Sequence, residues 1–156
     1  MIDETVKFEQ SRLMFPALAG LYTGVAPLAY AAIRVWTALD LFPGGIDKLF
    51  YGAVNRIAAG NITTLGFPLP YAWAWAVAII EFFGSILLAV GLWTRPVAVA
   101  FTVMLGVIAF GIMIKRGLFW TSGGLEVALL LMLMTFAFVI GGGGRYSLDR
   151  VIGREF

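Results

Sequence analysis

The chain has 156 residues, of which 61% are hydrophobic and 13% charged, a balance that excludes a water-soluble domain of ordinary composition and points to an integral membrane protein. Eleven basic residues against nine acidic ones leave a formal charge of +2, too small and too scattered for a nucleic-acid surface. Cysteine and histidine are both missing from the sequence, which excludes disulfides, thiol redox chemistry and thiolate metal sites and removes the usual ligands of membrane haem and zinc, so no metal site is expected.

This length holds about four helical spans with short loops and no second soluble domain, so residues 1–156 are expected to form a single membrane domain. The first ten residues, MIDETVKFEQ, carry three acids and one lysine, the wrong charge for a secretory leader, and no cleaved signal is expected. Residues 1 to 12 read as a short aqueous tail or interfacial turn. From Leu13 the chain is largely apolar up to Phe42; the first span is predicted over 25–42, with residues 13 to 24 as a tilted extension or interfacial lead-in. Pro43, Gly44 and Gly45 are expected to stop it.

Between residues 43 and 70, Ile46, Leu49, Phe50, Ala53, Val54 and Ile57 recur at helical spacing among Asp47, Lys48, Asn55 and Arg56. The pattern predicts a short amphipathic helix lying at the membrane surface, with a solvated loop as the competing reading. The second span is predicted over 72–93, the third over 96–114 and the fourth over 124–140, with a tight turn around Gly91 to Pro96 and a small-residue turn at Thr121, Ser122 and Gly123. The predicted fold class is therefore all-α: a polytopic four-transmembrane-helix bundle with a short amphipathic helix between spans 1 and 2. The run Gly141 to Gly144 is expected to free an aqueous C-terminal tail from the last helix. Four spans put both termini on one side. Lys7, Arg12, Arg95, Arg145, Arg150 and Arg154 lie on that side against Lys48, Arg56, Lys115 and Arg116 on the other, a bias toward cytoplasmic termini.

Charges at bilayer depth cost at least about 2.5 to 3.5 kcal/mol, so Arg34 and Glu81 must face protein or water. Arg34 lies eight residues before Phe42 and Glu81 nine after Ala72. With those two span ends at one membrane face, both groups sit about 12 to 14 Å deep in neighbouring antiparallel helices. Ala74, Ala78, Glu81 and Ser85 share one helical face, and Ala31 and Ala38 flank Arg34 on the other, so close approach is expected there. An Arg34–Glu81 ion pair follows as an expectation. Asp40, Asp47, Lys48, Lys115, Arg116 and Glu126 gather toward one membrane face, which suggests a polar pocket, although Asp40 projects about 120° from Arg34. The pocket residues expected to hold a ligand are Arg34, Asp40, Lys48, Glu81 and Glu126. A purely structural role is the competing reading, since buried ion pairs fix helix register without catalysis. Glu126, near a helix start, is favoured there by the helix dipole in any case.

The order of these motifs resembles the DoxX family of small bacterial four-helix membrane proteins. It is carried by Arg34, then GGIDKLF at 44 to 50, LGFPLP at 65 to 70, EFFGSILLAVGLWTRP at 81 to 96 and GGGGRYSLDRVIG at 141 to 153. By that resemblance Arg34, Lys48, Glu81, Gly84, Gly91, Arg95, Arg145 and Asp149 occupy recurring family positions. The family takes its name from a membrane component linked to quinol oxidase and thiosulfate:quinone oxidoreductase systems. The resemblance thus implies a bacterial inner-membrane protein near quinone chemistry. Relatives often carry a histidine just before the glycine that leads to the lysine, where this chain has Gly44 before Gly45.

Two functions compete. One is an accessory subunit that anchors a redox enzyme and binds a quinone or similar lipophilic molecule in the bundle. The other is a non-catalytic anchor or assembly protein whose ion pair is structural. A transporter is disfavoured because no inverted repeat or broken helix pair is visible. The expected partners are the lipid bilayer, a redox-enzyme protein and further copies of the chain. No self-contained catalytic centre is seen.

Overall fold

The structure is a computed structural model that describes residues 14–153. A short 3₁₀ turn, Pro16–Leu18, leads into α1, Ala19–Phe50. A surface helix, α2, Ala53–Ile57, continues through a π turn at Ala58–Ile62. Then come α3, Pro70–Val90, and α4, Thr94–Arg116. The last long helix, α5, is Glu126–Gly141, and a final short one, α6, is Leu148–Ile152. No strand occurs among the described residues.

The elements follow from the solvent the sequence implies. A lipid-embedded backbone must satisfy its own polar groups, so long apolar runs close into helices. Helices α1, α3 and α4 are long and apolar enough to cross a bilayer, whereas α5, with 16 residues, is shorter. The protein is a helical membrane protein, as expected, with its four long helices packed as a bundle. Leu41 of α1, Leu88 of α3, Phe101 and Leu105 of α4, and Leu131 and Phe138 of α5 share one core. Thr102 of α4 donates to Thr135 of α5 at 3.0 Å. Ala74 and Ala78 of α3 are fully buried, and α2 with the π turn after it lays Val54, Ala58 and Ile62 onto them.

Two boundaries differ from the sequence reading, and the difference decides the register of the bundle. Helix α1 does not stop at Pro43 but runs through it to Phe50. A proline removes one N–H from a helix, whereas ending the helix inside the membrane would orphan several backbone groups, so continuation costs less. The pair Gly44–Gly45 serves close packing instead. A Cβ on Gly45 would lie 2.5 Å from the Phe82 backbone nitrogen, and one on Gly44 would lie 2.7 Å from Glu81 Oε2. The amphipathic segment expected after the first span is consequently divided. Ile46, Leu49 and Phe50 end α1; the chain turns at Gly52, with φ of 76°, and α2 begins at Ala53.

Because α1 is eight residues longer than expected at this end, it meets α3 further along. Phe42 stacks on Phe82, ring centroids 5.3 Å apart, not beside Ala72. The ten residues from Ala72 to Phe82 displace the register by about 15 Å.

The tail also departs from expectation. Gly142 and Gly143 are buried, and the Tyr30 hydroxyl donates to the Gly142 carbonyl at 2.9 Å. The glycine run therefore pins the C-terminal segment onto α1, since only residues without a Cβ fit there: one on Gly143 would lie 2.5 Å from Ser147 Cβ. Ser147 and Asp149 are buried. The expected aqueous tail over residues 1 to 12, with Lys7 and Arg12, lies outside the described residues, as does Arg154.

Candidate functional site

The displaced register changes the partners of both membrane-embedded charges. Arg34 does not pair with Glu81. Its guanidinium lies level with the far end of α3, where Nη2 donates to the carbonyls of Tyr146 at 2.7 Å and Ala89 at 3.4 Å, and Nη1 donates to that of Gly143. These carbonyls belong to the last turn of α3 and to the segment just beyond α5, and helix C-terminal ends attract a cation. Arg34 is 2% exposed. Gly91 makes room for it, since a Cβ there would lie 2.8 Å from Nη1.

Beside this clasp, Gly91 closes α3 in the left-handed region with φ of 72°. The Leu92 amide returns to the Leu87 carbonyl at 2.9 Å, a helix stop that glycine supplies at no steric cost. Asp149 then bonds both sides of the turn. Its carboxylate accepts from the amides of Trp93 at 2.7 Å and Thr94 at 2.9 Å, and its own amide donates to the Gly91 carbonyl at 2.9 Å. It acts as the N-cap of α4 from 55 residues away. Asp149 stood out in the sequence only through the family pattern. No spacing signal reveals it, because a capping residue is normally read from the chain just before the helix.

Glu81 meets Lys48. The lysine Nζ donates to Glu81 Oε2 and, at 3.1 Å, to the Gly44 carbonyl of its own helix. Both side chains are largely buried, at 13% and 8% exposure. On the α3 side the carboxylate stands within a π turn, Ile80–Gly84, where one extra residue per turn re-aims side chains; such turns inside helices are frequent at functional sites. The Ser85 hydroxyl donates to the Glu81 carbonyl, and Gly84 lets the Phe101 ring lie against the helix at 3.1 Å from a would-be Cβ. Next to the pair, Phe82 stacks on Phe42 and meets Phe50 edge-on at 5.7 Å and Phe83 at 5.0 Å.

The remaining expected site residues stand apart. Asp40 is exposed on the outer side of α1, away from the core-facing Ala38, Leu41 and Gly45. Glu126 is exposed and accepts from the Trp120 amide at 3.1 Å, a local closure of the turn before α5. Asp47 pairs with Arg56 of α2 at 3.0 Å, both well exposed. Lys115 and Arg116 are exposed. Arg95 Nη2 lies 3.5 Å from the Ile140 carbonyl, at the opposite end of α3 from Lys48. Arg145 is exposed. Of the five residues expected to form one pocket, the structure brings Lys48 and Glu81 together. Among the described residues no group of three or more acids could hold a metal ion.

The family model named DoxX matches residues 29–116. The chain belongs to the DoxX family. The matched stretch runs from the approach to Arg34 through α3 to the end of α4, and so contains the Lys48–Glu81 pair and the Gly91 turn. In this DoxX chain the tail that holds Arg34 and caps α4 lies beyond the match. Neither the search of curated proteins nor that of solved structures finds a match.

Proposed function

We propose that this protein is an accessory membrane subunit that binds a quinone-like lipophilic molecule at the Lys48–Glu81 pair and serves a quinone-linked redox enzyme in the bacterial inner membrane, with both termini cytoplasmic. The observation that carries the reading is a buried ion pair whose carboxylate stands in a π turn, beside the Phe42, Phe82 and Phe50 rings. An intramembrane ionisable pair is a functional site by default. Apolar walls with a few fixed polar groups suit a small ligand with a ring and one polar end.

The donor set fits such a group. An ammonium has three donors, and Lys48 spends two, on Glu81 Oε2 and the Gly44 carbonyl. The third is free to meet a ligand carbonyl. Glu81 engages Lys48 through Oε2, so Oε1 is left to accept from a hydroxyl. Oxidised and reduced quinones present a carbonyl and a hydroxyl, respectively. Stacking on the phenylalanine rings would orient the ring face.

The test is saturable binding of a short-chain ubiquinone analogue to the purified protein in nanodiscs, followed by tryptophan fluorescence quenching. Wild type should bind, and Lys48→Met and Glu81→Gln should each weaken binding at least about tenfold, the worth of one charge-assisted hydrogen bond. Absence of saturable binding, or variants that bind like wild type, would overturn it.

A second reading, the non-catalytic anchor or assembly protein, draws support from Arg34. Every hydrogen bond described for its guanidinium goes to a backbone carbonyl that holds the fold. If Lys48 and Glu81 act in the same way, a well-packed apolar replacement of both keeps the protein in its complex while the quinone analogue fails to bind wild type.

A further inference from the structure

Helices α4 and α5 end at different depths. Thr102 and Thr135 stand level, joined by a hydrogen bond. From there α4 runs 14 residues on to Arg116, whereas α5 begins only nine residues before Thr135, at Glu126. The difference leaves a step about 7 Å deep above the start of α5, and residues 117–125 fill it. Helix α4 is long and apolar enough to cross the bilayer, so Arg116 marks the headgroup level and the loop lies at the boundary between headgroups and acyl chains.

The loop is built for that boundary. Its backbone closes on itself: the amides of Gly124, Leu125 and Glu126 donate to the carbonyls of Phe119, Gly117 and Leu118 at 3.0, 3.1 and 3.0 Å, and the Trp120 amide donates to Glu126 Oε2 at 3.1 Å. Gly124 permits this closure, since a Cβ there would lie 2.4 Å from the Gly117 carbonyl oxygen. With these polar groups paired, the backbone enters a medium of low dielectric at little cost. The side chains turn outward instead. Leu118, Phe119 and Trp120 are three large apolar residues in a row, and Phe119 and Trp120 are 68% and 65% exposed.

Two cations flank them. Lys115 and Arg116 are exposed, and among the described residues no hydrogen bond or ion pair engages either side chain. Cations that serve only to close a helix end bond its last carbonyls, and these do not. Arg116 lies over the loop, its Nη1 3.6 Å from the place of a Gly123 Cβ. The acid of the loop, Glu126, holds one oxygen on the Trp120 amide and leaves the two cations one positive charge in excess. On the same membrane face Arg56 is already matched by Asp47.

We propose that the loop between α4 and α5 is a binding site for an anionic phospholipid, with the phosphate held by Lys115 and Arg116 and the acyl chains lying along Leu118, Phe119 and Trp120. Depth and charge together select the occupant. A phospholipid presents an anion directly above apolar chains, in the order in which the loop presents cations above apolar side chains. The guanidinium takes two phosphate oxygens through parallel N–H donors, and the ammonium adds a point charge. Tryptophan at this depth favours the interface. The site shares no residue with the Lys48–Glu81 pair, and the proposal stands without the functional reading above.

The test is lipid retention by the full chain. The purified protein is placed in nanodiscs of equal parts phosphatidylcholine and phosphatidylglycerol with the same acyl chains, released in mild detergent, and its bound lipid counted by native mass spectrometry. Wild type should keep phosphatidylglycerol over phosphatidylcholine at least about fivefold, the worth of one unbalanced cation near a membrane surface. Lys115→Gln combined with Arg116→Gln should bring the two lipids to parity. Arg116→Gln alone should lower the preference at least about threefold, while Arg56→Gln, the same loss of charge on the same membrane face, should leave it unchanged. Should the double variant fail to fold, Glu126→Gln keeps the acceptor for the Trp120 amide, removes the opposing charge and should raise the preference at least about twofold. Equal retention of both lipids by wild type, or a preference that survives in the double variant, would overturn the proposal. So would an equal fall in Arg56→Gln and Arg116→Gln, the mark of general surface charge. Displacement of the retained phosphatidylglycerol by excess inorganic phosphate would overturn it too, because the ligand would then be a free anion.

Discussion

Gly45 of α1 lies flat against the backbone of α3: a Cβ added there would stand 2.5 Å from the Phe82 nitrogen and 2.7 Å from its Cα. No side chain can yield at such a contact, because the opposing atoms are main chain. Gly45→Ala should therefore push α1 and α3 apart and destabilise the protein by about 1 to 3 kcal/mol, the usual cost of overpacking a tight core. Gly60 provides the control, since nothing lies within 4 Å of its would-be Cβ and its helical backbone suits alanine. Gly60→Ala should be neutral or stabilising by up to about 1 kcal/mol. Thermal unfolding in detergent, followed by the loss of helical circular dichroism, checks both.

The Lys48–Glu81 pair makes a second prediction. Breaking a buried pair from one side strands the other charge, at a cost of about 3 to 5 kcal/mol, whereas apolar replacement of both is much better tolerated. Lys48→Met and Glu81→Leu should each lower stability by that order, and the double variant should fall far short of their sum. The coupling belongs to these two positions. Arg34→Met combined with Glu81→Leu should be nearly additive, since the two groups do not touch and share no described partner. A strong Arg34–Glu81 coupling in a double-mutant cycle would contradict the register described above.

Much of the bundle is legible in the residues alone. The four apolar segments, the small-residue face Ala74, Ala78, Glu81 and Ser85, and the alanines flanking Arg34 are where hydropathy and helical periodicity place them, because these signals are local. What is not legible is the depth relation between helices. It hinges on one boundary, at Pro43 to Gly45, where the stop signal that holds in water is overridden by the demand of a lipid-embedded backbone to stay hydrogen-bonded. An error of eight residues there moves the partner of Glu81 from Lys48 to Arg34. The roles of Gly143, Tyr146 and Asp149 are equally hidden, for they act through contacts that sequence distance conceals, and two of the three act through backbone carbonyls that any residue possesses.

Asp47 and Arg56 make a contrasting pair. Their side chains are 52% and 75% exposed, with N–O separation of 3.0 Å. An exposed pair gains little, since water and salt screen it and two long side chains lose freedom in forming it. Asp47→Asn should leave the unfolding temperature within measurement error in moderate salt. A large loss that persists at high salt would show that Asp47 makes some other contact in the membrane-bound protein.

The C-terminal clasp supplies the last prediction. Asp149→Ala removes the acceptor from two amides, the part-buried one of Trp93 and the buried one of Thr94, and lost caps cost about 1 to 2 kcal/mol. Arg34→Lys keeps the charge but replaces a planar fork by a single ammonium, which cannot span the carbonyls of Ala89, Gly143 and Tyr146 together. Both changes act on the same joint, so both should loosen the segment from Gly142 onward while leaving the α4–α5 core, with Phe101 and Phe138, in place. Trypsin reports this directly, because Arg145 and Arg150 lie in that segment. Cleavage there should be at least about fivefold faster in either variant than in wild type, with the rest of the chain still protected, as expected when local opening precedes global unfolding. Asp149→Asn should fall between, since the amide oxygen still accepts a hydrogen bond but without the charge. Equal cleavage in wild type and Asp149→Ala would mean that the tail is held by something other than the cap.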